Sequence, residues 1–171
     1  VADSSVAAEL NAQDSLNTEE EEEITSNSPL EGFNFGIAPS FGLISGKTFT
    51  SIPMGATAVI TTPFGFNLGP FDYTVSLAFG GYLGEFEGDS FDPTVAGLGG
   101  NLTIANLIFA EGHIGKIGNG FGLRGFGGVS LDYLMKKGLE LPFNILIGSE
   151  VFISNDMAGV GNPSGWLSLG A

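Results

Sequence analysis

Cysteine is missing from this 171-residue chain, and base is scarce: five Lys and Arg and one His in all. Without cysteine no disulfide and no thiolate metal site can form. So few cations argue against a nucleic-acid partner, because affinity for phosphate rests on Lys and Arg. No apolar run comes near the roughly 20 residues that a membrane helix needs, so any crossing of a bilayer falls to strands. Catalytic signatures are missing too: there is no GxSxG, no P-loop, no HExxH, and no GxGxxG between a strand and a helix. With no convergent acid, base and nucleophile, the chain reads as non-enzymatic, with no cofactor and no metal expected.

What the chain does have is glycine and phenylalanine, 28 and 15 residues, a mixture that helical proteins avoid. Its formal charge of −14 is unevenly spread. Residues 1–31 hold nine acids and no base, whereas the remainder sets ten acids against five bases. This division predicts an acidic N-terminal arm over 1–31, extended or partly helical, ahead of a folded domain over 32–171. Asp3 before Val6, Ala7, Ala8 and Leu10 has the pattern expected of a cap that seeds one short helix. The run Glu19, Glu20, Glu21, Glu22, Glu23 is a solvated block of like charge, suited to binding a protein partner. Val1 opens no basic and apolar leader, so an exported protein would be present here as its mature form.

From residue 32 the dominant signal is period two. Phe71, Tyr73, Val75, Leu77 and Phe79 alternate with Asp72, Thr74, Ser76, Ala78 and Gly80, and Phe33, Phe35, Ile37, Phe41 and Leu43 repeat the pattern. Such alternation marks a strand with one apolar face. Eight segments carry it, at about 33–44, 54–66, 71–83, 95–104, 108–117, 120–134, 143–153 and 165–171, separated by Gly, Pro, Asn and Asp. The opposite face is small and nearly chargeless. A soluble β-sandwich or lipocalin-like barrel would turn that face to water, where a quarter to a third of surface residues are normally charged. A transmembrane barrel turns the apolar face to lipid and fills a narrow lumen with the small one.

With an even number of strands both termini lie on one side. Phe33, Phe35, Phe64, Phe66, Phe71, Tyr73, Tyr133 and Phe143 then fall toward that side as an aromatic girdle, while Phe41, Phe79 and Phe121 fall toward the other. Over residues 32–171 this pattern resembles the small eight-stranded outer-membrane β-barrel proteins, of the kind seen in the transmembrane domain of OmpA. The resemblance implies an antiparallel up-and-down barrel in the bacterial outer membrane, periplasmic termini and longer extracellular loops. The chain departs from that family in its long acidic lead, its short loops and the lack of an aromatic final residue.

Charge inside the barrel points to one cluster. Gly118 and Asn119 form a two-residue turn, and Ile117 opposite Gly120 sets His113 across from Arg124 on the small face. Glu111 is then diagonal to Arg124, and pairing Leu134 with Pro142 brings Glu150 diagonal to it from the other side. Glu111, His113, Arg124 and Glu150 are therefore the expected lumen ion network, because a charge buried without a partner is very costly. Glu85, Glu87, Asp89 and Asp92 lack the ligand order of a calcium loop and read as solvated. Three roles follow. The first is a structural or interaction protein with a plugged lumen, whose arm engages a periplasmic partner. The second is a small-solute channel or transport component, and the third a secreted β-rich subunit of a fibre or surface layer.

Overall fold

The computed structural model describes residues 32–47, 49–135 and 144–171. Alternating side chains with Gly at close approaches favour extended backbone, and the chain runs through β1 (Asn34–Ser45), β2 (Met54–Leu68), β3 (Phe71–Phe86), β4 (Asp89–Phe91), β5 (Thr94–Ile104), β6 (Ile108–Ile117) and β7 (Gly120–Ser130). After a short helix, α1 (Leu131–Leu134), come β8 (Leu146–Ser154) and β9 (Ser164–Gly170). Each long strand pairs with the next in sequence, and β9 returns to β1 through Ser40 opposite Gly170 and Phe41 opposite Leu169. The result is a closed, antiparallel, eight-stranded barrel. Closure leaves no sheet edge along the seam. The barrel is one compact unit, Gly32–Ala171.

Turn chemistry sets the register. Gly69, Gly118, Ala105 and Asn106 all take positive φ, at 62°, 63°, 51° and 57°, and tighten the connections between β2 and β3, β6 and β7, and β5 and β6. The turn at Gly118 pairs Ile117 with Gly120 and His113 with Arg124. At the end of the barrel away from the chain's entry at Gly32, β4 folds back on β3, pairing Phe86 with Asp89 and Gly84 with Phe91. Glu85 and Asp89 are thus strand residues of a hairpin whose tip is Glu87 and Gly88, rather than parts of an open loop.

One expected strand is shorter than its pattern. Residues 120–134 read as a single strand, yet β7 stops at Ser130, whose Oγ accepts from the Tyr133 N–H at 3.3 Å and caps α1. A side-chain oxygen that satisfies an orphan helix N–H competes with the next rung of the ladder. Tyr133 therefore sits exposed on a helical turn, not at the end of a strand. Phe143, residues 1–31 and the run Glu19 to Glu23 lie outside the described residues. Of the other aromatics expected at this end, Phe35, Phe64, Phe66 and Phe71 are exposed on the outer face. Phe33 precedes β1 and is half-buried. Tyr73 stacks on Phe66 at 5.2 Å between centroids, and its ring covers the outer side of Gly100, a position with no side chain to compete.

The two faces differ as period two demands. Outside lie Ile37, Phe41, Leu98, Ile114, Leu123, Ile147, Ile153 and Leu169, all well exposed. Inside, at the end far from Gly32, Phe49, Tyr82, Val95, Ile117, Phe152, Met157 and Trp166 form the apolar core.

Candidate functional site

The centre of the barrel is polar, and its hydrogen-bonded side chains come from β1, β2, β3, β6, β7 and β8. On β6, β7 and β8 the inward positions include Glu111, His113, Arg124 and Glu150. Arg124 is 1% exposed and Glu150 fully buried. The guanidinium holds both carboxylates: Nε donates to Glu150 Oε1 at 2.6 Å, and Nη1 to Glu111 Oε2 at 2.7 Å. Nη1 also lies 3.0 Å from His113 Nδ1. Arginine has no acceptor, so Nδ1 must accept and carries no proton. The proton of the neutral ring is then on Nε2, which meets Ser76 Oγ of β3 at 2.8 Å. His113 has room because Gly99 of β5 faces it in the register; a methyl group there would strike the backbone oxygen of Gly112.

Tyr82 completes the cluster from the opposite wall. Its hydroxyl donates to Glu150 Oε2 at 2.9 Å and bonds Thr57 Oγ1 at 2.6 Å, while Ser40 Oγ donates to it at 3.3 Å. Glu150 thus has a donor on each oxygen. That is the condition under which a buried ion pair avoids a net penalty: removing one partner costs about 3–5 kcal/mol, whereas the intact pair contributes little by itself. The cluster ties β1, β2, β3, β6, β7 and β8 together through one carboxylate and one guanidinium.

Two different environments flank it. Toward the far end, Trp166 stacks on Phe152 at 4.1 Å and meets Tyr82 and Phe49 edge-on at 5.1 and 5.5 Å. These rings pack together inside the barrel at that end. Toward the end where the chain enters at Gly32, Glu111 looks into a cavity of about 560 Å³ lined by Asp72, Thr74, Asn101, Thr103 and Phe109 among others. Asn101 Nδ2 reaches Glu111 Oε1 at 3.4 Å, and Asp72 accepts from Asn67 at the rim. Among the described residues no group of three His, Cys, Asp or Glu side chains is placed to hold a metal ion.

All four residues of the expected ion network lie together. The register alone places His113 opposite Arg124 and Glu150 opposite Phe126, diagonal to Arg124. Tyr82, Thr57, Ser40 and Ser76 were not anticipated: the first three reach the cluster across the lumen, where strand pairing says nothing, and Ser76 lies two strands from His113 in the row that runs through Gly99. One signal was available for Tyr82: it is a large side chain on the parity otherwise occupied by Thr74, Ser76, Ala78 and Gly80. Phe126, Phe152 and Trp166 break their strands' small face in the same way.

No family model, curated protein or solved structure matches the chain.

Proposed function

We propose that this protein is a small outer-membrane β-barrel with a plugged lumen, serving a structural or interaction role rather than catalysis. The outer face carries the proposal. Ile37, Phe64, Leu68 and Phe35 are 75, 69, 70 and 66% exposed, and large apolar side chains recur around the wall. Soluble monomers rarely expose contiguous apolar area beyond a few hundred Å², whereas a lipid-facing barrel presents a continuous apolar band. Charge follows the opposite rule, with Arg124, Glu111 and Glu150 turned inward. Among the described strand residues, Glu85 and Lys116 are the charged ones on the outer parity, and both lie toward the far end of the barrel.

The plug favours this role over a channel. Phe49, Tyr82, Phe152 and Trp166 occupy the lumen beyond an ion network whose Arg124 charge is already matched by Glu111 and Glu150. The acidic arm over residues 1–31 is the part suited to a periplasmic protein partner with a basic or amide-rich groove. Alkaline extraction of membranes tests the barrel: it should stay with the bilayer and need detergent for release. Solubility without detergent would favour the secreted fibre or surface-layer subunit instead. In planar bilayers the plugged barrel should pass no steady current.

A further inference from the structure

We propose that the cavity at the Gly32 end of the lumen is a binding site for a small linear polyamine. The site lies inside the wall, so it stands whether or not the outer face meets lipid. Its shape is that of a ligand pocket: about 560 Å³, open at one end, closed at the other by the ion network and the aromatic rings behind it. Its charge selects the ligand. Three carboxylates, Asp72, Glu111 and Glu150, stand against the single guanidinium of Arg124, and His113 is held neutral by the hydrogen bond it accepts. Arg124 spends Nε on Glu150 and Nη1 on Glu111 and His113, so its charge is already matched by two carboxylates. The other Glu111 oxygen has only the long contact from Asn101, and neither salt bridge among the described residues involves Asp72. An anion is therefore repelled and a cation attracted.

Spacing decides between a metal ion and an organic cation. Asp72 pairs with Thr103, and Asn101 pairs with Glu111, so β5 lies between the two carboxylates. Strands two steps apart in a sheet are about 10 Å apart, and among the described residues no three His, Cys, Asp or Glu side chains converge as a metal ion needs. A chain with an ammonium group at each end and methylenes between can meet both. Thr74 and Thr103 offer hydroxyl acceptors along the way, and Phe109 lines the same cavity, where a ring face suits methylenes and a cation alike.

The test is calorimetric titration of the full chain, folded in detergent, with spermidine, with sebacate as the anionic control of similar length. The arm itself is acidic, so two variants separate it from the lumen: Asp72→Asn, and a chain with Glu19 to Glu23 all changed to Gln. Saturable 1:1 binding is expected, weakened about tenfold by Asp72→Asn and retained by the glutamine arm. Amide chemical shifts in full-length protein should move on β3, β5 and β6. Binding lost with the glutamine arm, binding indifferent to Asp72→Asn in a folded protein, or no saturation at millimolar spermidine would each overturn the proposal.

Discussion

Tyr82 and Glu150 face each other across the lumen, joined by a hydroxyl-to-carboxylate hydrogen bond of 2.9 Å. They are 68 residues apart in the chain and sit on strands that do not pair. Glu150 also accepts from Arg124, so one carboxylate couples the β6 to β8 side of the wall to the β1 to β3 side. The barrel is braced from within at the level where its lumen is most polar.

Tyr82→Phe keeps the ring among Phe152 and Trp166 but leaves Glu150 Oε2 without a donor. A buried acceptor stripped of its partner costs about 1–3 kcal/mol. Urea unfolding of the detergent-folded protein should show a loss of that size. A neutral result would mean that Glu150 is satisfied elsewhere.

Arg124→Ala removes the partner of two carboxylates at once. The expected loss is about 3–5 kcal/mol or failure to fold, the range found when one member of a buried pair is deleted. Replacing Arg124 and Glu150 together by apolar residues of similar volume should recover part of it. If the single and double variants lose the same amount, pairing is not what holds the cluster.

Gly99 and Gly112, on opposite faces of neighbouring strands, should respond in opposite ways. A Cβ at Gly99 would lie 1.8 Å from the Gly112 oxygen, whereas one at Gly112 meets nothing within 4 Å. Gly99→Ala forces the backbones of β5 and β6 apart, a strain of about 1–3 kcal/mol or more. Gly112→Ala should be near neutral. Heat stability of the two variants, measured side by side, checks the contrast.

Val75→Arg puts a cation on the outer parity of β3, opposite Gly100 of β5. If that face meets the bilayer interior, folding into lipid vesicles should weaken by about 2–4 kcal/mol. A variant that folds into vesicles as well as the parent would speak for a solvated outer face.

Much of this was legible along the chain because strands obey a two-residue rule. The parity of Phe71, Tyr73 and Val75 shows which side of β3 is apolar, and the turn at Gly118 fixes the pairing that sets His113 opposite Arg124. Contacts across the lumen follow from no local rule, which is why Tyr82, Thr57 and Ser40 had to be seen. The end of β7 was hidden for another reason. Ser130 fits the strand's pattern, but its hydroxyl caps a helical turn and draws Tyr133 off the ladder. The acidic hairpin was hidden as well, since Glu87 takes a positive φ of 53° that non-glycine residues seldom adopt.

Trp166, the single tryptophan of the chain, lies on the last strand and stacks between Phe152 and the rings of Tyr82 and Phe49. Its strand completes the ring by pairing with β1, whose partners lie well over a hundred residues earlier. Contacts so distant in sequence form late, because the loop they close is long. Its fluorescence is therefore a clock for closure: emission should shift when the first and last strands meet, later than the strand content seen by circular dichroism. The interval between the two signals is the lifetime of an open sheet whose Arg124 is still wet.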